Sequence, residues 1–123
     1  HNSCDGKSRA ISTGILTIAK GADGSDASQI FKNLLLSKNA RADSIPELEV
    51  LADDVSAAHG AASAPLDPEQ MFYLMSRGLD SEESESLIVG GFLIAAFKKL
   101  PRDSVSDWLK GRLTIHLDCN LLE

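Results

Sequence analysis

The sequence predicts a mainly β domain followed, from about Pro65, by a small helical domain. Three observations carry that expectation. Short apolar bursts recur through residues 1–65 among Gly, Ser, Asn, Asp and Ala. Glu47-Leu48-Glu49-Val50 alternates strictly, which places Leu48 and Val50 on one face of a strand. After Pro65 the pattern changes to helix-start signals and longer apolar runs.

The bursts of the first half are Ile15-Leu16-Thr17-Ile18, Leu34-Leu35-Leu36 and Leu48-Glu49-Val50-Leu51. Turn-formers separate them: Lys20 to Asp26 with two glycines, then Ser37-Lys38-Asn39-Ala40. Strands punctuated by polar corners at this interval suit a stacked solenoid, each burst being read as one coil, and a small sandwich fits almost as well.

The second half, residues 66–123, reads as helices. Asp67 is the expected N-cap, Pro68 fills the first helical position, Gln70 is placed to close a capping box, and Leu66 and Met71 form the hydrophobic staple. Gly78 supplies the left-handed residue that ends this helix. A second helix is capped by Asp80 or Ser81, with Glu82, Glu83 and Glu85 near its positive end. Lys98 and Lys99 close it and Pro101 stops it. A third starts at Asp103 or Ser104 and runs through Trp108 and Leu109, with Gly111 weakening its continuation. Leu87 to Phe97 shows no polar stripe, so that helix is expected to be buried all round or to meet another protein. Gly90-Gly91 inside it suggests a close approach by a neighbour.

Composition narrows the function. The net charge is −6 and the twelve Lys and Arg are scattered, so no basic face for nucleic acid is expected. The longest apolar run has eleven residues, about half a bilayer span, and the first residues carry no signal-peptide pattern. A soluble, cytoplasmic chain is the expectation. It opens on His1 rather than Met, which points to a piece of a longer protein. Cys4 and Cys119 show no zinc spacing and read as free thiols of a reducing compartment, although a bridge between them is not decided by spacing.

His59 is the histidine set within a patterned segment, flanked by small residues from Ala57 to Ala62. Asp53 and Asp54, five or six residues earlier, are candidates to orient its ring or share a cation with it. A hydrogen-bonded structural histidine is the plainer reading. No phosphate loop, GxSxG or Cys–His constellation occurs, so the chain does not read as an enzyme.

The stretches LLLSKNARADSIPELEVLADDVSAAHGAAS and LDPEQMFYLMSRGLDSEESESLIVGGF, spanning about Leu34 to Pro101, resemble the carboxy-terminal part of the SufB/SufD family, core scaffold proteins of Suf iron–sulfur cluster assembly. The opening HNSCDGKSRAISTGIL resembles an upstream segment of the same family. The resemblance implies the last coils of a right-handed parallel β-helix over residues 1–65, then a helical domain over 66–123. It implies dimerisation through the β-helix with a SufB/SufD-type paralogue or a second copy. It also implies docking of the ABC-type ATPase SufC on the helices, with a cluster carried only transiently by the assembled complex and none by this chain alone. His59, with Asp54 nearby, matches the cluster-assembly position of a SufD-like ADDV-x-C-x-HGA motif, in which Ala57 stands where the family has cysteine. Gly60 favours the SufD side, whereas SLIVGGF reads more like SufB. The docking surface implied is Phe72, Tyr73, Arg77 and Gly78, then Leu87, Val89 and Phe92. The compartment implied is the cytoplasm, or the plastid stroma in a plant or alga.

Two other classes compete. A β-solenoid carbohydrate-active enzyme would use Asp53, Asp54 and His59 but needs sugar-stacking aromatics, and one Trp and one Tyr are present, both in the helical half. A purely structural homodimer would associate through an open solenoid end.

Overall fold

The computed structural model describes residues 1–97 and 103–117. The chain divides into two compact units, one of Asn2–Ala64 and one beginning at Pro65. The first is all strand: β1 (Asn2–Cys4), β2 (Arg9–Ile18), β3 (Asp26–Leu35), β4 (Arg41–Val50) and β5 (Ser56–Pro65). Odd and even strands separate into two sheets, ordered β1-β3-β5 and β2-β4. The registered pairs β1–β3 and β2–β4 are parallel.

Asn2 pairs with Asn33, and Arg9 with Arg41, so one lap of the chain takes 31 or 32 residues. The apolar bursts are therefore three successive strands, β2, β3 and β4, and not three coils as the spacing suggested. Each lap holds two strands, one in each sheet. Local spacing measures the interval between strands, whereas hydrogen bonding skips every other one.

Alternation decides which side chains face inward. On β2, Ala10, Ser12, Gly14, Leu16 and Ile18 turn in, while Arg9, Ile11, Thr13, Ile15 and Thr17 turn out. The inward residues are mostly small, which lets the sheets approach. Cys4, Ile18, Leu34 and Ala40 form the buried apolar core of this unit. Between them runs a polar row. Asn2 donates to Ser12 Oγ and to Asn33 Oδ1, and Asn33, 3% exposed, donates to Ser44 Oγ and Ser63 Oγ.

The corners stack as the strands do. The Oδ1 atom of Asp23 accepts from the N–H groups of Asp53 and Asp54 at 3.3 and 3.4 Å, and the Gly24 N–H donates to the Asp54 carbonyl at 2.6 Å. Gly24 takes a φ of 80°, which a side chain would strain.

The second unit comprises α1 (Pro68–Ser76), α2 (Ser81–Ile94), a 3₁₀ turn over Ala95–Phe97 and α3 (Asp103–Leu117). Asp67 caps α1 by accepting from the Glu69 N–H at 2.9 Å; Gln70 lines a groove instead of closing a box. Gly78, at φ 102°, follows the Arg77 C-cap. Asp80 and Glu83 form a reciprocal capping box on α2, with bonds of 2.8 and 2.9 Å. α2 yields to the 3₁₀ turn at Ala95, and Lys98, Lys99 and Pro101 lie outside the described residues. α3 continues through Gly111 to Leu117, past the expected weak point.

Of the two readings of this helix, burial all round is corrected, and an outward face that meets another protein is left as the expectation. Val89 and Gly90 are buried, but Leu87 is 41% exposed and Gly91 faces open space. The helix thus has one inward and one outward face despite its uniformly apolar sequence. The close approach expected at the glycine pair is not made at Gly91, where a Cβ would meet nothing within 4 Å.

Candidate functional site

In the strand unit, β5 ends one sheet and β4 ends the other, so among the described residues both present an unpaired edge. A cleft of about 610 Å³ opens between these edges, lined by Ala42, Ser44 and Ile45 of β4 and by Ala61, Ala62 and Ser63 of β5, with Arg9 and Ile11 at its border. Arg9 also grips Asp43 across the β2–β4 pair at 2.5 Å, an exposed ion pair that adds little stability but orders the rim.

His59 lies on β5 and is exposed. The Ser56 N–H bonds to the Ser25 carbonyl, and Ser63 meets Asn33, so β5 runs in register with residues thirty positions earlier. That register sets His59 opposite Gln29 and gives it the same parity as Ser63, whose hydroxyl joins the inter-sheet row. His59 is thus on the inward-facing side of its sheet. It is open because β5 is the last strand. Ala57, where the resembling motif has cysteine, sits two residues back on the same side and is half-buried. Gly60 takes the opposite side.

Asp53 and Asp54 do not join His59. They occupy the bend between β4 and β5, where their backbone N–H groups tie to Asp23. Three residues of extended strand, about 10 Å, separate His59 from Ser56 at the start of β5. Among the described residues no three His, Cys, Asp or Glu side chains gather as a metal site. Cys4 is a free, buried thiol of β1, and Cys119 lies outside the described residues. The thiolates that usually hold an iron–sulfur cluster are therefore not assembled among the described residues.

In the helical unit, Phe72 is 74% and Tyr73 57% exposed on α1, where no residue is fully buried. The Arg77 guanidinium lies 5.2 Å from the Tyr73 ring centre and orders that ring by a cation–π contact. Leu87 is exposed and Phe92 half-buried. Val89, 4% exposed, is core, which corrects its assignment to a docking surface: it points inward at the position where α2 needs an apolar anchor. A groove of about 370 Å³ lies between α1 and α2, lined by Asp67, Glu69, Gln70, Tyr73, Leu74 and Ile88. Sequence reasoning missed this groove. It also missed the Asn2–Asn33 row, whose one signal was a polar Asn33 leading directly into Leu34-Leu35-Leu36.

The family model described as SUF system FeS cluster assembly, SufBD core domain, matches residues 1–92. The chain belongs to the SufBD family.

Within the SufBD family it is SufD-like. It is 42% identical over 100 residues to the iron–sulfur cluster assembly protein SufD of Bacillus subtilis, a match covering 81% of this chain and 23% of that protein. It is 34% identical over 107 residues to SufD of Escherichia coli, covering 87% and 25%. It is also 32% identical over 109 residues to the protein named ABCI7, chloroplastic, of Arabidopsis thaliana, covering 85% and 23%. This SufD-like chain spans about a quarter of the length of these relatives. Among its described residues no helix is long and apolar enough to cross a membrane.

Proposed function

We propose that this chain is the SufD-like part of an iron–sulfur cluster assembly scaffold of SufBCD type. In this reading its strands are the last laps of a right-handed parallel β-helix. Their end pairs with a SufB/SufD-type subunit or a second copy. Its helices dock an ABC-type ATPase, which supplies the hydrolysis, and this chain is not itself an enzyme. The cluster is cargo of the complex and is not held by this chain alone. The cytoplasm or the plastid stroma is the compartment.

The observation that carries the reading is the pair of open edges, β4 and β5, in a chain of the SufBD family. Such edges present rows of free N–H and C=O groups that accept another strand. The Ala-, Gly- and Ser-rich sequence of β5 lets a partner backbone come close. A partner added there would also enclose His59 on the inward side, giving the imidazole a desolvated site between subunits. The alternation of two parallel sheets over a 31- or 32-residue lap supports the β-helix reading. The exposed Phe72 and Tyr73 support docking at the helices, since aromatic side chains are frequent anchors of interfaces.

The test is co-expression of the full-length protein with a SufB-type subunit and a SufC-type ATPase. A complex of all three is expected. Ala58→Lys with Ala62→Lys, two charges on the outer side of β5, should abolish subunit pairing while ATPase binding persists. Pairing that survives both lysines, or failure of the ATPase to bind wild type, would overturn the corresponding half of the proposal.

A further inference from the structure

Two Asp-Gly pairs stand at corners of the strand unit, Asp5-Gly6 between β1 and β2 and Asp23-Gly24 between β2 and β3. All four residues are exposed. An Asp-Gly pair is prone to close on itself, because glycine leaves its own nitrogen unshielded and the aspartyl side chain has the length to form a succinimide ring. Where the fold holds that nitrogen and that carboxyl decides whether they react. At Asp23-Gly24 the stacked corner keeps them apart. The Gly24 N–H donates to the Asp54 carbonyl at 2.6 Å, and Oδ1 of Asp23 accepts from the N–H groups of Asp53 and Asp54. At Asp5-Gly6 they are turned on each other. The Gly6 N–H donates to Oδ1 of Asp5 itself at 2.6 Å, and nothing stands within 4 Å of the place a Cβ would take on Gly6.

We propose that Asp5 is a site of spontaneous isomerisation to isoaspartate, favoured by its folded corner, whereas the fold protects Asp23. The Gly6 nitrogen attacks Cγ of the protonated Asp5 carboxyl. The N–Cγ bond forms, a Cγ–O bond breaks, and the amide proton leaves with the hydroxyl as water. Water then opens the succinimide. Breaking the new N–Cγ bond restores aspartate. Breaking the bond from that nitrogen to the main-chain carbonyl carbon of Asp5 leaves isoaspartate. The charge is unchanged, but the main chain is longer by one methylene. This corner is tied on both sides to the next lap: the Leu36 N–H donates to the Cys4 carbonyl at 2.8 Å, and the Ser37 hydroxyl donates to the Gly6 carbonyl at 2.7 Å. A longer link between Cys4 and Gly6 breaks the match between these two bonds, so β1 loosens from β3.

Ageing the full-length protein for weeks in mildly acidic buffer tests this, with isoaspartate located by peptide mass spectrometry and by a carboxyl methyltransferase that labels it. Isoaspartate should accumulate at Asp5 about tenfold faster or more than at Asp23. In concentrated urea the two sites should age at similar rates, since only the fold distinguishes them. Asp5→Glu, whose side chain is a methylene too long for the ring, should abolish the signal there and leave Asp23 as it was. Hydrogen exchange should show the Leu36 N–H losing protection in the aged fraction and keeping it in aged Asp5→Glu. Equal ageing of the two sites in the folded protein, none at either, or faster ageing at Asp23 would overturn the assignment. An isoaspartate fraction with Leu36 still protected would overturn the loosening of β1.

Discussion

The side-chain amide of Asn2 donates to Oδ1 of Asn33 over 2.9 Å, and the same two residues are register partners on β1 and β3. Asn33 then reaches Ser44 of the other sheet at 3.0 Å and Ser63 of the next lap at 2.9 Å. One buried side chain thus ties three laps and both sheets together. It holds register along the stack, because slipping any strand by one residue would turn its member of the row outward.

Asn33→Leu therefore should not behave as a harmless apolar replacement. Ser44 and Ser63 would keep their polar atoms and lose Asn33 as donor, and Asn2 would keep only its bond to Ser12, at about 1–3 kcal/mol for each group left buried and unpaired. Screening by water at the exposed Ser63 softens the total, and a loss of roughly 2–4 kcal/mol is expected in urea unfolding, read as a lower midpoint at unchanged slope. A leucine variant as stable as wild type would show that the row contributes nothing.

Gly14 and Gln29 face each other between the sheets. A Cβ on Gly14 would collide with the Gln29 amide nitrogen and crowd the Phe31 ring at 3.1 Å. Gly14→Ala should destabilise by about 1–2 kcal/mol, and adding Gln29→Ala should return much of that, because the collision is with the end of a flexible side chain. The Gln29 Oε1 atom is itself buried without a partner, so Gln29→Ala alone should be mild. A double-mutant cycle with no coupling would contradict this contact.

On α2, Leu87 and Val89 separate surface from core. Leu87→Glu should change the melting temperature little and, on the docking proposed above, lower affinity for the ATPase by tenfold or more, about 1.4 kcal/mol. Val89→Glu should instead unfold the helical unit, since it would bury a charge without a partner. Thermal melts beside the binding assay distinguish the two, and a stable Val89→Glu variant would refute its place in the core.

Gly91 faces open space within a helix, so its flexibility is an avoidable weakness for folding. Gly91→Ala is expected to stabilise by about 0.5–1 kcal/mol in chemical denaturation.

Much of the local structure was legible. Asp67-Pro68, and Asp80 or Ser81 followed by acidic residues, announced two helices, because caps satisfy backbone groups within a few residues and write their chemistry nearby; which of the two capped α2, and its box with Glu83, came from the structure. Gly78 marked a helix end that needs positive φ, and Gly24 lay in a run read as a turn. The uniformly apolar Leu87–Phe97 run left two readings open, burial all round or a face for another protein, because its exposed face carries leucine, glycine and alanine and shows no polar stripe. In the candidate site the identity of His59 was legible and its surroundings were not. Asp54 is near it in sequence, yet the extended strand carries the two apart, while Gln29, thirty residues away, comes opposite.

By itself the sequence determined the change from strands to helices near Pro65, the strands that carry the three apolar bursts, the starts of the first two helices, and membership of the SufBD family, but not the strands β1 and β5, which carry no apolar burst. The tertiary structure alone decided that alternate strands pair, that successive laps take 30 to 32 residues, and that Asn33 is the polar centre of the stack. It also decided that His59 faces inward at an edge left open. The reason is that caps and turns are satisfied by neighbours along the chain, whereas a parallel ladder is satisfied by backbone a whole lap away, at a distance no short-range periodicity records.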